Sequence, residues 1–339
     1  IGAPARRTID KLDECVTPQD FGACSPDVLN DSPAFQAAVT YVANGAVGRR
    51  KGGRLFAPAS EYGIFETVIF PADKPISFIG EGNGTCLIKH GVAGAMIELR
   101  SGSLISGIFF QGHISITGGS NAIYCNGANT ARIADCYFEN QTTPIELHLS
   151  YAVEIVSCSF DVCYSYGIVA TTSAHNTVIE RCHFFTCGVG SNGQAINFLV
   201  PSDNLVIKSN DFEYCNVNIA LNACNSVQIV GNYFEYHKTA CFDFKPGCTG
   251  VVIEANWIAL GEVAGGGFES VIRNITGGRF AHNTLYNQTL TFDPDALIGF
   301  DVGISRHTGT GSVGGAPWVS PALLNGWAQQ TNHPGVGYL

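Results

Sequence analysis

A short phrase recurs along the middle of the chain at intervals of 22 to 28 residues. Each copy closes on a large apolar residue, and these closing residues are Phe110, Phe138, Phe160, Phe184, Phe212, Phe234, Ile258 and Leu285. A repeat of about 20 to 50 residues is typical of a solenoid, in which each unit buries its apolar side only against its neighbours. The repeat therefore predicts an elongated stack of similar coils.

The repeating unit has the pattern of β-strands. Within each copy isoleucine alternates with polar residues, and the copies are rich in Val, Ile, Phe and Tyr. A second alternating run precedes each copy, as in residues 145–149 and 242–244. Each coil is thus expected to hold three short strands. We predict an all-β fold, a right-handed single-stranded parallel β-helix of about nine or ten coils stacked at about 4.8 Å.

One position of the repeat changes from cysteine to asparagine along the chain. Two residues before each closing apolar residue, the series reads Cys136, Cys158, Cys182, Asn210, Asn232, Asn256 and Asn283. Asparagines stacked in one register can hydrogen-bond to their copies in the next coil at a tight turn. The series therefore predicts a buried amide ladder.

The thirteen cysteines follow the same repeat. Cys163, Cys187 and Cys215 form a second series, three residues after the closing phenylalanine. Stacked cysteines in the wall of a β-helix act as small buried apolar side chains. We expect free thiols and folding in a reducing cytosol. Clustered Cys/His spacings are absent from the sequence, so no metal site and no cofactor is predicted.

Composition narrows the class of protein further. The chain has 339 residues, is 45% hydrophobic and only 14% charged, and carries a net charge of −10. The hydrophobic fraction is sufficient for one sizeable core. Nucleic acid is a poor partner, because the net charge is negative and the sequence has no basic cluster. No apolar run reaches the length of about 18 residues that membrane insertion requires. The chain begins without Met and without a signal peptide, so we expect an excised piece of a longer protein.

Three regions are expected along the chain. Residues 1–30 are a polar lead-in from a missing anchor region, residues 31–292 form the β-helix, and residues 293–339 are a linker followed by the start of a truncated module. Ser32 as N-cap and Pro33 at the first helical position predict a helix over residues 33–43. This helix should cover the open end of the β-helix, where a terminal coil would otherwise expose its core.

Motifs in the first third of the chain carry a family resemblance. They are Asp20–Ala23, Asn30–Ser32, Ala34–Ala38, Gly53–Ala59 and Ile79–Thr85. Together they resemble the opening of the pectate-lyase-like module of bacteriophage tailspikes, over roughly residues 6 to 290. The sequence departs from that family at residues 23–27, where a Gly-Asp-Gly turn is usual. Residues 322–327 and 335–339 resemble the first strands of a small C-terminal module of phage tail proteins.

The resemblance implies a role and partners. It implies a homotrimer in the virion tail, attached to the tail or baseplate through a missing N-terminal region and folded in the host cytoplasm. It also implies that the protein binds and cleaves a bacterial surface polysaccharide, which is a capsule, an O-antigen or an exopolysaccharide. Tailspikes of this fold include hydrolases, lyases and deacetylases, so the resemblance leaves the reaction open.

A first candidate site lies on the outward side of the run that opens each coil. Aligning these runs by their inward residues places Asp243 and Glu269 on adjacent coils, two positions apart, at a Cα separation of about 8 Å. Inverting glycosidases hold their two carboxyl groups about 6.5–9.5 Å apart. Predicted substrate-binding neighbours are Asn218, Asn222, Lys245 and Arg273, with a weaker cluster of Glu146 and His148 about four coils away. An ordinary solvated face with ion pairs is the alternative interpretation.

A second candidate site follows the closing phenylalanines. Glu213 and Glu235 should stand about 5 Å apart on adjacent coils, a spacing that suits a retaining mechanism. Tyr214, Tyr236 and Trp257 could stack on sugar rings, and Asp211 belongs to the same patch. Solvent screening of two surface carboxylates is the alternative here.

We therefore expect a glycoside hydrolase, with Asp243 and Glu269 ranked ahead of Glu213 and Glu235 as the catalytic pair. The first alternative is a polysaccharide lyase, in which Lys245 and Arg273 would supply the base and the positive charge. The second is a spike that binds the polysaccharide without cleaving it. A site in a groove between subunits is compatible with each.

Overall fold

The structure is a computed structural model. It describes residues 16–24, 29–44, 52–90, 94–100, 102–112, 121–190, 193–259, 269–286, 289–293, 297–302, 306–308 and 337–338. The described chain is mostly strand and coils into a parallel β-solenoid of about nine turns, with a short helix near the N-terminus. The predicted β-helix is confirmed.

Helix α1, Ser32–Asn44, covers the first coil after a 3-10 helix at Pro18–Phe21. Its apolar side is buried, and the Phe35 ring contacts the rings of Tyr62 and Phe78 at centroid distances of 5.2 and 5.9 Å. The helix thus closes the core at this end, as its apolar sequence indicates. No described helix has the length and apolarity needed to cross a membrane.

The start of helix α1 differs from the expectation. Ser32 is already helical, and its hydroxyl accepts hydrogen bonds from the backbone N–H groups of Phe65 and Glu66 instead of capping its own helix. The carboxylate of Asp31 accepts from the N–H groups of Cys24 and Gly63. Ser32 therefore ties the helix to the first coil, because a tertiary partner takes the hydroxyl that a local cap would use.

One side of the solenoid is an eight-stranded parallel sheet. Its strands are, in order, Val68–Ile69, Ala95–Leu99, Asn121–Asn126, Thr143–His148, Tyr166–Ala170, Gln194–Phe198, Val217–Asn222 and Ala240–Lys245. These strands are the runs that open each coil, and each pairs with the corresponding run of the next coil.

The other sides belong to one 21-stranded sheet with two parallel ladders. The Ile ladder consists of Gly53–Phe56, Ile76–Lys89, Leu104–Gln111, Arg132–Ala134, Glu154–Val156, Val178–Glu180, Val206–Lys208, Gln228–Val230, Cys248–Glu254, Ile275–Ala281 and Leu297–Val302. The Phe ladder consists of Ser60–Ile64, the carboxyl halves of Ile76–Lys89 and Leu104–Gln111, then Tyr137–Glu139, Ser159–Asp161, His183–Phe185, Asp211–Glu213, Tyr233–Glu235, Trp257–Ala259, Thr284–Tyr286 and Arg306–Thr308. The three predicted strands per coil are confirmed.

Three short pairings complete the described strands. Ser150–Tyr151 pairs with Ala174–His175, Glu269–Ile272 pairs with Thr289–Phe292, and Gly337–Tyr338 runs antiparallel to Arg306–Thr308. Both ladders continue past residue 292, where the repeat was expected to end. The backbone register persists there although the sequence phrase has faded. The motif at residues 322–327 lies outside the described residues.

Phenylalanines stack along the core of the Phe ladder. The rings of Phe110, Phe138, Phe160, Phe184, Phe212 and Phe234 are fully buried. Successive ring centroids are 4.6 to 5.1 Å apart, with interplanar angles of 4° to 19°. Each buried ring contributes about 1.5–3 kcal/mol through its lost contact with water, so the stack ties successive coils together.

The asparagine ladder is confirmed at the turn between the two ladders. The Nδ2 groups of Asn210, Asn232 and Asn256 each donate to Oδ1 of the next asparagine at 2.9–3.0 Å. Each Oδ1 also accepts from the backbone N–H of the preceding member at 2.9 Å. Every rung thus satisfies polar groups that would otherwise be buried without partners.

Eleven of the twelve described cysteines are buried, and all twelve are free thiols. Cys163, Cys187 and Cys215 lie in one column inside the wall, in which burial raises the pKa of the Cys187 and Cys215 thiols well above its usual range. His237 stands at the same position of the next coil and is also fully buried. These thiols therefore behave as core side chains.

Candidate functional site

The outward side of the Phe ladder carries carboxylates, an imidazole and aromatic rings. Side chains alternate along a strand, so the residues that flank each buried phenylalanine point away from the core. We call the outward pairs the acidic face: Tyr137 and Glu139, Ser159 and Asp161, His183 and Phe185, Asp211 and Glu213, Tyr233 and Glu235, Trp257 and Ala259, and Thr284 and Tyr286.

Three side chains converge at the centre of the acidic face. Asp211 is the register partner of His183 on one side, and Glu213 is the partner of Glu235 on the other. One ligand atom each from His183, Asp211 and Glu213 lies within 4.8 Å of the other two. The predicted neighbourhood of Glu213 and Glu235 is therefore present, and Asp211 and His183 extend it by one strand.

Asp211 has the electrostatics expected of a proton donor. Burial raises the pKa of Asp211 above its ordinary value, the charges of Glu213 and Glu235 raise it further, and His183 lowers it. The Oδ1 atom of Asp211 is buried and has no hydrogen-bond partner. A carboxyl group beside two others in a partly desolvated site holds its proton more tightly than an isolated carboxyl group does.

Two tyrosines hold carboxylates on this face. The hydroxyl of Tyr233 donates to Oε2 of Glu235 at 2.7 Å, and the hydroxyl of Tyr137 donates to Oδ2 of Asp161 at 3.0 Å. Burial and the hydrogen bond to Asp161 raise the pKa of Tyr137 to about 12. Both phenols therefore remain protonated donors at neutral pH and fix the orientation of their carboxylates.

Aromatic rings border the carboxylates. Trp257 and Tyr286 are 39% and 41% exposed, and their rings stack with centroids 6.0 Å apart at 22°. Tyr214 and Tyr236 stack on each other at 4.8 Å and 10°, at the corner that follows the Phe ladder. Exposed aromatic faces next to polar groups suit the apolar faces of sugar rings. The three aromatic residues predicted to bind substrate thus border the acidic face.

The other predicted carboxylate, Asp243, is already paired. Nζ of Lys245 lies 2.8 Å from Oδ2 and 3.0 Å from Oδ1 of Asp243. Asn222 is the register partner of Lys245, and its Nδ2 donates to the carbonyl of Leu199 at 2.7 Å. Arg273 is exposed and directly follows the strand Glu269–Ile272. This arrangement is that of a surface ion pair.

Glu269 and Asn218 are the remaining members of that first cluster. The strand Glu269–Ile272 lies next to Ala240–Lys245, as expected, but its ladder partner is Thr289–Phe292, and the side chain of Glu269 lies outside the described residues. Asn218 is 0% exposed, and its Nδ2 lies 3.7 Å from Sγ of Cys241. Asn218 therefore faces the core at the corner of the coil, out of reach of a ligand on the surface.

Glu146 and His148 belong to a separate polar cluster on the eight-stranded sheet. Glu146 accepts from Nδ2 of Asn121 at 2.7 Å and from Oγ1 of Thr171 at 2.9 Å. The His148 ring lies 5.6 Å from the ring of Tyr124. The carboxylate oxygens of Glu146 are thus engaged by neutral donors, an arrangement that orders the surface.

A groove of about 530 Å³ lies beside helix α1. Its described lining includes Gln36, Asn44, Lys74 and Arg100, and none of its described lining residues is a carboxylate. It is remote in the fold from the acidic face and lacks acid/base groups. We therefore place the candidate site on the Phe ladder.

His183 and Tyr233 were not singled out from the sequence. Both occupy the outward position directly before a closing phenylalanine, two residues before the position that holds Glu213 and Glu235. The positions before the closing apolar residues read Tyr137, Ser159, His183, Asp211, Tyr233 and Trp257. Aligning this position as well would have placed His183 and Tyr233 beside the predicted carboxylates.

Comparisons with known proteins agree with the fold. The family model of NosD, described as a periplasmic copper-binding protein, matches residues 88–243. Among solved structures, ORF18 of Geobacillus virus E2 is 12% identical with a TM-score of 0.62, covering 88% of this chain and 62% of that chain. The chain thus spans 62% of the length of the viral protein.

An enzyme is also among the similar structures. DFA-IIIase from Arthrobacter chlorophenolicus A6 is 12% identical with a TM-score of 0.64, covering 88% of this chain and 86% of that chain. The same enzyme without its lid, in complex with GF2, is 12% identical with a TM-score of 0.69, covering 86% and 94%. The chain carries a β-helix module. No curated protein matches it in sequence.

The described residues do not fit a copper centre. Copper sites favour imidazole and thiolate or thioether ligands. Among the described residues, the one group with three potential ligands is His183, Asp211 and Glu213, which offers two carboxylates and a single imidazole. The buried cysteines are separate from it, inside the wall. We derive no chemistry through copper.

Proposed function

We propose that the protein binds a bacterial surface polysaccharide on the acidic face and cleaves it as an endo-glycoside hydrolase. The observation that carries the proposal is the approach of Asp211 and Glu213, whose carboxylate oxygens lie within 4.8 Å of each other. Retaining glycosidases hold their carboxyl groups about 5–5.5 Å apart, whereas inverting enzymes leave room for a water molecule. The raised pKa of Asp211 supplies the acid that such a pair needs.

The proposed reaction runs in two steps. Asp211 donates its proton to the glycosidic oxygen as the bond from that oxygen to the anomeric carbon breaks, and a carboxylate oxygen of Glu213 forms a bond to the anomeric carbon. A water molecule then attacks the anomeric carbon, Asp211 takes its proton, and Glu213 is released. Glu235, fixed by Tyr233, faces the positive charge that develops on the sugar ring.

This proposal reverses the order of the two predicted carboxylate pairs. Both oxygens of Asp243 are engaged by Lys245, which leaves neither residue free for proton transfer in this arrangement. The same ion pair weakens the lyase alternative, because a lyase at this site would need Lys245 as an unprotonated base. Asp211, by contrast, has an unpartnered buried oxygen.

We further propose that the β-helix belongs to a phage tailspike that acts on the host surface. The similarity of residues 20–85 to tailspike modules supports this, as does the likeness in fold to a protein of Geobacillus virus E2. The likeness to DFA-IIIase, a carbohydrate-processing enzyme, supports the glycan as the substrate class. Attachment to the tail or baseplate and trimer formation are parts of the same proposal.

The test uses purified polysaccharides from a panel of bacterial hosts. Reducing ends and the ultraviolet absorbance of unsaturated uronates are followed together. We expect reducing ends without absorbance, and Asp211→Asn should lower the rate by about 10²–10⁴-fold, the usual contribution of a general acid. The matched control is Asp243→Asn, which removes a carboxylate of the same type from the ion pair with Lys245.

The outcomes separate the alternatives. A rise in absorbance would show a lyase and contradict the carboxylate mechanism. Loss of activity in Asp243→Asn with full activity in Asp211→Asn would move the site to the eight-stranded sheet. Binding of a polysaccharide without any release of reducing ends would leave a receptor-binding spike.

A further inference from the structure

The charge of the acidic face restricts the kind of glycan that it can hold. Five carboxylates occupy its outward positions between Tyr137 and Tyr286, namely Glu139, Asp161, Asp211, Glu213 and Glu235. No lysine or arginine occupies an outward position in this range, and His183 is its one imidazole. The charge of Glu213 on the same strand and that of Glu235 on the next strand both raise the pKa of Asp211.

The cations of the neighbouring Ile ladder are paired on that ladder. Nζ of Lys208 and Nη1 of Arg181 both lie 3.2 Å from Glu180, on the Ile ladder. Arg279 likewise donates to Glu254 at 2.5 Å, and this hydrogen bond lowers the pKa of Glu254. These guanidinium and ammonium groups therefore neutralise glutamates of the Ile ladder.

Two buried oxygens of the acidic face have no partner. Oδ1 of Asp161 and Oδ1 of Asp211 are each buried without a hydrogen-bond partner, on strands two apart in the ladder. Acceptors of this kind are satisfied by hydroxyl, ammonium or amide N–H donors. A carboxylate of a substrate offers only further acceptors, so it would add repulsion to a face that already holds unpartnered carboxylate oxygens.

Aromatic pairs mark both ends of the same surface. Phe109 and Tyr137 lie 5.1 Å apart at one end, and Trp257 stacks with Tyr286 at the other. From the strand of Tyr137 to that of Tyr286 there are six strand spacings, or about 29 Å. A surface of this length holds several consecutive sugars, stacked on rings at its ends and hydrogen-bonded to carboxylates between them.

We infer that the glycan bound by the acidic face is uncharged or carries amino groups, and that polyuronates are excluded. The inference rests on the proposed function and names its substrate class. Hydroxyl and ammonium groups can donate to the carboxylates, whereas each uronate meets outward positions that carry no lysine or arginine between Tyr137 and Tyr286. This class also excludes β-elimination at the acidic face, since that reaction requires a uronate.

A bound divalent cation would remove the basis for excluding polyuronates. A divalent cation held by His183, Asp211 and Glu213 would reverse the local charge and could bridge a polyuronate to the face. Carboxylate oxygens are suitable ligands for such an ion. The experiment therefore compares buffers that contain EDTA with buffers that contain calcium.

The test sorts purified polysaccharides into uncharged, amino-containing and polyuronate groups. Each is assayed for cleavage and for retardation of the full chain in affinity electrophoresis, with chitosan and polygalacturonate as reference members. We expect cleavage or retardation only in the first two groups, in either buffer. The double variant Glu139→Gln/Asp161→Asn should lower retardation by an amino-containing polysaccharide by about tenfold, because two of the five carboxylates are lost.

The control is a double variant with the same change in charge on the Ile ladder. Glu154→Gln/Glu180→Gln removes two carboxylates from the Ile ladder and should leave retardation as in the unmodified chain. Melting curves by circular dichroism confirm that each variant is folded.

Retardation or cleavage with polygalacturonate in either buffer overturns the substrate class while the hydrolase proposal can stand. Retardation by uncharged or amino glycans without cleavage supports the class and contradicts the hydrolase, and no retardation by any glycan overturns both.

Discussion

At the scale of single residues, the hydrogen bond from Tyr233 to Glu235 joins two outward side chains of one strand at 2.7 Å. A phenol that donates to a carboxylate holds one rotamer of that carboxylate and favours its charged form. If Glu235 stabilises the charge that develops on the sugar ring, then Tyr233 acts through Glu235 as a positioning residue.

We predict that Tyr233→Phe lowers kcat by about 10- to 100-fold, the worth of one hydrogen bond to a charged group. KM should change little, because the aromatic ring remains in place. The control is Tyr137→Phe, which removes a similar hydrogen bond to Asp161, whose strand lies three strands from that of Tyr233. Equal loss of kcat in both variants would contradict a specific role for Tyr233.

The buried imidazole of His237 is expected to affect the stability of the protein, and it has no proposed role in catalysis. It is 0% exposed, neither ring nitrogen has a hydrogen-bond partner, and burial lowers its pKa to about 4 from the ordinary 6.5. Above pH 6.5 the imidazole is neutral in both the folded and the unfolded chain, and it has no effect on the pH dependence. As the pH falls from 6.5 towards 4, the unfolded chain binds a proton that the folded chain does not.

We therefore predict that His237 makes the free energy of unfolding fall by roughly 3 kcal/mol between pH 6.5 and pH 4. His237→Gln should remove that part of the pH dependence, since glutamine does not titrate and Gln141 occupies the same position of an earlier coil. The measurement is denaturant unfolding at several pH values. Parallel curves for the two proteins would show that the pKa of His237 is the same in the folded and the unfolded chain, which would contradict the prediction.

At the scale of elements, the asparagine ladder shows how one residue type ties separate coils together. Asn256 accepts two hydrogen bonds from Asn232 through Oδ1 and donates from Nδ2 to the carbonyl of Ile229 and to Asn283. All of these groups are buried, so each depends on its neighbour in the stack.

We predict that Asn256→Ala lowers the free energy of unfolding by about 2–4 kcal/mol, because two donors of Asn232 lose their acceptor in the core. The control is Gln228→Ala, an exposed position on a strand of the Ile ladder, where a change of about 0.5 kcal/mol or less is expected. Thermal and urea unfolding would measure both. A small effect of Asn256→Ala would mean that water replaces the amide.

At the scale of the whole molecule, exposed apolar side chains stand at one edge of the solenoid. Leu149 and Leu199 follow the carboxyl ends of strands in the eight-stranded sheet, and Tyr151 lies close by in sequence. The similarity to tailspikes implies a homotrimer, and an apolar edge is suited to association between chains.

We predict that the protein is a trimer in solution, with a mass three times the 36.0 kDa of one chain. Size-exclusion chromatography with light scattering measures this directly. A monomer over the accessible range of concentration would contradict the trimer while leaving the acidic face, which lies within one chain, as the candidate site.

The sequence alone determined the architecture and the internal ladders. The alternation of apolar and polar residues and the spacing between copies are local properties, and they place the phenylalanines and asparagines in register without further information. The same alignment brought Glu213 next to Glu235, because outward positions on successive strands are also set by register.

The tertiary structure decided which carboxylates are available for proton transfer. Asp243 and Asp211 both look like outward acids in the sequence, but the fold pairs Asp243 with Lys245 and leaves a buried oxygen of Asp211 without a partner. It also turned Asn218 into the core and gave the strand of Glu269 its ladder partner in Thr289–Phe292. The ion pair of Asp243 joins it to Lys245, two positions away, but the burial of Asp211 depends on groups from neighbouring coils, some 22 to 28 residues away in sequence, which no local pattern encodes.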